Sequence, residues 1–255
     1  MKSNIQGTYN NYPIKLGIFR TKKKTNLIFL NVHGTFGESG DKGSKSEILG
    51  KLLLKDDLAN VVQYSSSRNW QKFISIDKVS RNQAFIGKTF DEERLDLINA
   101  IDYIVNNSQK LFNISKDDLR LYVVAFSLGG TLVSTLNERL KLIDKLVICG
   151  SGIEPSSFTK TLFPTFYSKE VIQNSIKNFN GRLLSLRGSL DDTITFDSQK
   201  ELFDSYKFAE SKEWKVIEGA NHTLSSINGE DKELAYSLFI EEVMNFFSSS
   251  ELEQV

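Results

Sequence analysis

Three side chains of this sequence have the chemistry of nucleophilic catalysis: a serine, a histidine and a carboxylate. The serine is Ser127, which stands between the apolar run Leu121–Val124 and a helical pattern. A strand, a tight turn and a helix in this order lift the hydroxyl clear of the sheet and aim the N–H of Leu128 at whatever it attacks. The turn requires small residues two before and two after the serine, which Ala125 and Gly129 provide. We interpret Ser127 as a nucleophile; a serine that only caps the helix is the alternative.

A serine nucleophile requires a base, and the chain contains two histidines. His222 lies in the loop Gly219–Thr223 after the last predicted strand, and His33 follows the predicted strand that ends at Val32. Because the carboxyl ends of parallel strands meet at one edge of a sheet, the loop of His222 is expected beside Ser127. We therefore predict that His222 is the base.

The third member of such a site is a carboxylate that holds the imidazole tautomer and stabilises its cation. Two adjacent carboxylates, Asp191 and Asp192, follow the predicted strand Arg182–Arg187. Both belong to the sheet edge that carries Ser127, and the pattern leaves open which of them contacts the histidine. At least one of the two is expected to be an ordinary turn residue.

Strand and helix patterns alternate along the chain, and the strands are continuous apolar runs. This alternation predicts an α/β fold with a mostly parallel, twisted β-sheet and helices on both faces. The predicted strands are Tyr12–Arg20 at an antiparallel edge, Asn26–Val32, Val61–Tyr64, Leu119–Ala125, Lys145–Cys149, Arg182–Arg187 and Trp214–Glu218. The predicted helices begin after Ser44, Thr89 and Ser127, near Gln199 and near Lys232; Ser44 with Glu47 and Thr89 with Glu92 have the spacing of capping boxes.

Composition excludes several other classes of protein. Lysine plus arginine and aspartate plus glutamate number 32 each, so no net charge favours nucleic acid or an acidic membrane surface. The single cysteine, Cys149, allows no internal disulfide, and no cluster of histidine and cysteine has metal-ligand spacing. No apolar run reaches membrane-spanning length and the N-terminus lacks a signal-like segment, so we expect a cytoplasmic protein.

The chain resembles the α/β-hydrolase superfamily over nearly its whole length. The resemblance is carried by four elements in order: His33-Gly34 after a strand, the serine elbow at Ser127, a Gly-x-x-Asp turn at Gly188–Asp191, and a Gly-x-x-His loop that ends at His222. The resemblance implies that Ser127 is the nucleophile and that His222 is the base and then the acid. It also favours Asp191 over Asp192, because Asp191 has the family's spacing from Gly188.

The same resemblance implies an oxyanion hole formed by the backbone N–H groups of Thr35 and Leu128. It implies that His33 is structural and braces the loop that carries Thr35. It implies one α/β-hydrolase domain over residues 1–255 with a short cap after the sixth strand, about residues 151–181. Neither a metal ion nor an organic cofactor is expected.

Aromatic side chains around these elements are the candidate substrate contacts. We predict Phe36 and Phe126, which adjoin the oxyanion loop and the nucleophile, and Phe163 and Phe166 from the cap. Packing within a short helix pair is the alternative for the cap aromatics. A second irregular stretch, Ser65–Lys88, holds Trp70, Phe73 and Phe85 and is placed to lean over the site.

The predicted activity is hydrolysis of a carboxylic ester with a small or medium acyl group through an acyl-enzyme on Ser127. The general pattern is similar to small intracellular esterases and serine-aminopeptidase-like members of the superfamily. A thioesterase or an acyltransferase with the same three residues is the first alternative, and a hydrolase fold retained as a non-catalytic binding module is the second. The partner expected is a small acyl substrate, and the sequence specifies no oligomeric state.

Overall fold

In the computed structural model, which describes residues 1–37, 43–68, 85–224 and 226–249, eight strands form one sheet. In chain order they are β1 (Lys2–Gln6), β2 (Pro13–Phe19), β3 (Leu27–Val32), β4 (Asn60–Ser65), β5 (Arg120–Phe126), β6 (Lys145–Cys149), β7 (Arg182–Leu190) and β8 (Ser211–Asn221). Their order across the sheet is β1-β2-β4-β3-β5-β6-β7-β8. The pairs β1–β2 and β2–β4 are antiparallel, and all the others are parallel, which confirms the predicted mostly parallel sheet.

Helices cover both faces of the sheet, as predicted. They are α1 (Lys45–Lys55), α2 (Phe90–Asn106), α3 (Ser108–Phe112), α4 (Leu128–Val133), a 3₁₀ helix (Asn137–Leu142), α5 (Ser157–Leu162), α6 (Lys169–Ile176), α7 (Phe196–Ser205) and α8 (Lys232–Ser248). The apolar side chains of α1 and α8 form one core cluster with the sheet, and those of α2, α4, α6 and α7 form the other. The central strands β3, β5 and β6 are buried along almost their whole length because both of their faces are covered.

Polar side chains begin α1 and α2 at the predicted residues. Thr89 and Glu92 form a complete capping box, in which each side chain accepts a hydrogen bond from the other residue's backbone N–H. Ser44 accepts from the N–H of Glu47, but the Glu47 carboxylate accepts from the N–H of Gly43 rather than from Ser44. The start of α1 is therefore fixed by a cap that reaches one residue further back than a capping box.

Both ends of the sheet differ from the sequence prediction. Strand β1 was not predicted, so the strand near Tyr12–Arg20 is the second of the sheet and not its edge. β1 alternates between exposed and half-buried side chains and lacks the apolar run of the central strands. Strand β8 extends beyond Trp214–Glu218 at both ends, and most of its side chains are exposed or half-buried. Strands at the edge of a sheet have fewer buried apolar residues than central strands, so their sequence pattern is harder to recognise, which explains both differences.

The segment predicted as a cap, residues 151–181, contains the short helices α5 and α6. Ile172 and Ile176 of α6 join the core cluster that also contains α2. No helix in the described ranges is both long and apolar enough to cross a membrane.

Candidate active site

The tight turn after β5 holds Ser127 in a strained backbone conformation. Its φ of 49° and ψ of −120° are unusual for a residue with a side chain, and the N–H of Ser127 donates to the carbonyl of Cys149 at 2.8 Å. The predicted need for small neighbours is met: Ala125 is fully buried, and a Cβ on Gly129 would lie 2.6 Å from the carbonyl oxygen of His33. The elbow therefore brings the chain at Ser127 directly against the loop after β3.

Ser127, His222 and Asp191 form one hydrogen-bonded chain, although 95 and 31 residues of sequence separate the successive partners. The hydroxyl of Ser127 lies 3.0 Å from Nε2 of His222, and Nδ1 of His222 lies 3.0 Å from each carboxylate oxygen of Asp191. Because a carboxylate can only accept, Nδ1 carries the proton and Nε2 is the acceptor for the serine hydroxyl. This tautomer is the one that a general base beside a serine requires.

The carboxylate of Asp191 is buried and held by several donors besides His222. Its Oδ1 accepts from the N–H groups of Thr193 and Ile194, both at 3.0 Å, and its Oδ2 accepts from the Gln199 side chain at 2.7 Å. Burial alone raises the pKa of the carboxyl, but the hydrogen bonds from His222 and from the Ile194 N–H outweigh burial and lower it. Asp191 is therefore a fixed negative charge behind the imidazole.

Asp192 is exposed and contacts only the hydroxyl of Thr193, at 3.3 Å, within the described residues. Of the two adjacent aspartates, Asp191 is thus the one that contacts His222. Gly188 explains the register, since a Cβ there would lie 2.2 Å from the carbonyl oxygen of Ala220 on β8. The Arg187 guanidinium donates hydrogen bonds to the backbone carbonyls of Asp191 and Ile194 and so stabilises the turn that carries Asp191.

The two backbone amides predicted for an oxyanion hole lie on either side of the elbow. A Cβ on Gly34 would be 3.3 Å from Cβ of Ser127, so the turn that carries Thr35 packs against the nucleophile. Leu128 is the first residue of α4, where a helix leaves its N–H groups without internal acceptors. Among the described residues, neither the N–H of Thr35 nor that of Leu128 donates a hydrogen bond.

His33 lies under this turn and does not join the chain of Ser127. Its Nδ1–H donates to the carbonyl of Gly34 at 2.8 Å, its Nε2 accepts from the N–H of Ser66 at 3.4 Å, and its ring stacks on Tyr64. Burial, and next the positive charge of Arg68, lower the pKa of His33 to about 4. A neutral, doubly hydrogen-bonded imidazole at this place is suited to bracing the turn.

A buried cluster of four charges supports His33 from the side of α2. The Arg68 guanidinium binds the Glu93 carboxylate through two hydrogen bonds of 3.2 and 3.3 Å, and Nζ of Lys88 lies 3.3 Å from Oδ2 of Asp96. Burial raises the pKa of Glu93, but Arg68 and Lys88 outweigh it and bring the pKa to about 2. This cluster is not predictable from the sequence, because its residues carry no motif and meet only through the fold.

A cavity of about 570 Å³ opens beside the Ser127 hydroxyl. Phe36 and Phe126, two of the predicted substrate contacts, line it, and so does Phe158 of the cap. Phe163 and Phe166, the other two predicted substrate contacts, do not line it, and their contact with a substrate stays a prediction. Phe163 is only 2% exposed and packs edge-on against Phe166, Phe85 and Phe90. These rings join the cap to the core, as in the packing alternative; Trp70 and Phe73 lie outside the described residues.

Lys45 is a cavity residue that the sequence analysis did not single out. It is the first residue of α1, and its ammonium reaches the wall of the cavity beside Phe126. The sequence shows only that Lys45 follows the helix cap Ser44, and a lysine in a lysine-rich stretch gives no further indication of a functional role. In the described part of the chain, no group of three or more His, Cys, Asp or Glu side chains is arranged to hold a metal ion.

Comparison with solved structures identifies the fold. The chain is similar to Est1E from Butyrivibrio proteoclasticus (TM-score 0.64, 13% identity, 96% of this chain and 97% of that one) and to an esterase, Pf2001, from Pyrococcus furiosus (TM-score 0.66, 15% identity, 98% and 92%). It is also similar to a dienelactone hydrolase from Anabaena variabilis (TM-score 0.62, 14% identity, 96% and 97%). No protein-family model and no curated protein sequence matches the chain. The protein therefore has the α/β-hydrolase fold, which is the fold that the resemblance implied.

Proposed function

We propose that this protein is a serine hydrolase that cleaves carboxylic esters through an acyl-enzyme on Ser127. The observation that carries the proposal is the hydrogen-bonded chain from Ser127 through His222 to Asp191 at the carboxyl edge of the sheet. Nucleophile, base and orienting carboxylate are then in the order and the geometry that acyl transfer to serine requires. The esterases among the similar structures support the same class of reaction.

The proposed reaction has two halves. His222 accepts the proton of the Ser127 hydroxyl while the oxygen attacks the ester carbonyl, and the N–H groups of Thr35 and Leu128 stabilise the negative oxygen of the tetrahedral intermediate. The intermediate collapses, the ester C–O bond breaks, and the alcohol leaves with the proton from His222. Water, deprotonated by His222, then attacks the acyl-serine. The bond from the acyl carbon to the Ser127 oxygen breaks, His222 returns the proton to that oxygen, and the acid leaves the free enzyme.

The cavity suits a small or medium acyl group. Its volume of about 570 Å³ lies within the usual range of small-molecule sites, and the rings of Phe36, Phe126 and Phe158 make its walls apolar. Est1E binds ferulic acid, so aromatic acyl esters belong beside linear ones in the substrate panel. The single cysteine, Cys149, is buried and unpaired, and we include a cytoplasmic location in the proposal.

Ser127→Ala tests the proposal. The variant is expected to lose ester hydrolysis by a factor on the order of a million in kcat when chemistry limits turnover, and to lose labelling by a fluorophosphonate probe. The matched control is Ser157→Ala, which changes an exposed serine outside the cavity and is expected to retain both signals. Labelling of Ser127→Ala at the wild-type rate would contradict the proposal, and so would a wild-type protein that neither reacts with the probe nor cleaves any ester.

A further inference from the structure

The ammonium of Lys45 is held between the neighbours of the two reacting residues. Its Nζ lies 4.5 Å from the centre of the Phe126 ring, and it donates a hydrogen bond to the backbone carbonyl of Thr223. Phe126 directly precedes Ser127, and Thr223 directly follows His222. A positive charge therefore stands at the wall of the cavity, in contact with the residue that precedes the proposed nucleophile and with the residue that follows the proposed base.

This charge has no carboxylate partner in the described part of the chain. None of the ion pairs there includes Lys45, and the described residues that line the cavity contribute neither aspartate nor glutamate. The nearby Glu47 carboxylate on the same helix pairs with Lys51 at 2.8 Å and accepts from the N–H of Gly43. The cavity is thus positive at one point and apolar over most of its remaining wall.

The position is also unfavourable for a cation, which argues against a purely stabilising role. Lys45 is the first residue of α1, where the helix dipole is positive and disfavours lysine. Burial lowers the pKa of its ammonium to about 8, with an opposing contribution from Cys149. A charged group that is buried in a cavity against its own electrostatic preference is a candidate for function. A negatively charged group of a bound ligand would balance the charge of Lys45.

We propose that Lys45 binds a carboxylate of the substrate, so that the preferred esters carry a free carboxylate close to the scissile bond. The proposal rests on the ester hydrolysis proposed above and names the substrate class for the same site. One ammonium can neutralise one carboxylate through charge-assisted hydrogen bonds, while Phe36, Phe126 and Phe158 contact the rest of the molecule. The carboxylate belongs either to the acyl group or to the alcohol, and the two arms of the test separate these sources.

The test compares esters that differ only in charge. In the first arm, mono-(4-nitrophenyl) adipate is compared with 4-nitrophenyl 6-methylheptanoate, in which an isopropyl group replaces the carboxylate. In the second arm, the butanoate ester of 3-hydroxybenzoic acid is compared with that of 3-isopropylphenol. Each value of kcat/KM is corrected for spontaneous hydrolysis. The wild-type protein is expected to prefer the charged ester by about tenfold or more in one arm.

The variant Lys45→Met keeps the length of the side chain and removes its charge. It is expected to lower the ratio of charged to neutral kcat/KM by about 10- to 100-fold, mainly through KM, because a charge-assisted hydrogen bond to bound substrate is lost. The control is Lys51→Met on the same helix, whose exposed side chain faces away from the cavity, and its ratio is expected to equal that of the wild type.

The pH dependence of the ratio is a second measurement. The preference for the charged ester is expected to fade as pH rises through about 8, because the Lys45 ammonium becomes neutral. In the described part of the chain, the other titratable groups that line the cavity are the Cys149 thiol, whose pKa burial raises to about 12, His33, His222 and Tyr236, and the Glu47 carboxylate stands on the same helix as Lys45. Because both esters of a pair are cleaved by the same protein, a loss of catalysis that affects the two equally cancels in the ratio, and Lys45→Met shows which part of the pH dependence belongs to Lys45.

The outcomes separate the two proposals. Wild-type protein that cleaves neutral and charged esters equally in both arms would overturn the role of Lys45 and leave the hydrolase proposal standing. An equal loss on both esters in Lys45→Met would also overturn it, because Lys45 would then only hold the Thr223 carbonyl in place. Failure to cleave any ester through Ser127 would overturn the hydrolase proposal itself.

Discussion

Replacing Asp191 by asparagine changes one oxygen of the proposed active site into an N–H donor. The carboxylate now accepts from His222, Thr193, Ile194 and Gln199. With the new amide oxygen kept on the Thr193 and Ile194 N–H groups, the new NH₂ faces Gln199 and Nδ1 of His222. Gln199 can adapt by rotating its amide, since its Oε1 has no hydrogen-bond partner among the described residues. His222 cannot adapt without moving its proton to Nε2, where it blocks transfer from Ser127.

The expected loss follows from two contributions. The charge-assisted hydrogen bond from Nδ1–H to a buried carboxylate contributes about 2–3 kcal/mol. The attraction between that carboxylate and the imidazolium formed in the transition state contributes a similar amount at an effective dielectric constant of about 20. Together they are on the order of 5 kcal/mol, which corresponds to a loss of about 10⁴-fold in kcat.

The matched control is Asp192→Asn, one residue along the same turn. Asp192 is exposed and contacts only the Thr193 hydroxyl among the described residues, so kcat is expected to change by less than about threefold. Both variants are assayed on 4-nitrophenyl butanoate, with thermal unfolding followed in parallel to verify that each is folded. A folded Asp191→Asn protein with more than about a tenth of the wild-type kcat would refute the reasoning. An Asp192→Asn protein whose kcat falls as far as expected for Asp191→Asn would also refute it.

Two further predictions concern the histidines. Activity is expected to fall toward acidic pH because protonated His222 cannot accept the Ser127 proton. His222→Asn is expected to abolish turnover, whereas His33→Asn is expected to keep the same fall in activity toward acidic pH at a lower overall rate. Turnover in His222→Asn comparable to that of the wild type would show that another residue is the base. The pKa of His33 is about 4 in the folded protein and has its ordinary value of 6.5 in the unfolded chain. Its contribution to stability is therefore present above about pH 6.5 and is lost as pH falls toward 4. Between about pH 7 and about pH 5 this loss is about 2 kcal/mol in the free energy of unfolding measured with urea, and a His33→Gln variant that shows the full wild-type decline would contradict it.

The sequence predicted the geometry of Ser127, Asp191 and His222 because each follows a strand of the same parallel sheet. Strands β5, β7 and β8 run parallel in one half of the sheet, with only β6 between β5 and β7, so their C-terminal loops lie at the same edge whatever the distance along the chain. The choice between Asp191 and Asp192 required one further constraint, the close approach of Gly188 to β8. That constraint is visible in the sequence only as a glycine at the spacing of a known motif.

The cap and the buried charges were beyond this kind of reasoning. Nothing in the spacing of Phe158 and Phe163 indicates that the first lines the cavity and the second fills the core, because both stand in one short segment without a strong period. Arg68 and Glu93 pair across 25 residues of sequence inside the protein, where a residue-type pattern predicts exposure for both. Burial of charge is decided by partners in three dimensions, and single residue types do not reveal those partners.

Specificity has to be argued from this chain's own residues. An identity of 13–15% to the similar structures is enough to retain the strand order and the burial pattern, since these depend on where apolar residues stand rather than on which ones they are. The lining of the cavity is under no such constraint, and a single charge there alters which ester binds. Lys45 is the described lining residue whose charge lacks a carboxylate partner, so changing it without moving Ser127, His222 or Asp191 separates the choice of substrate from the chemistry.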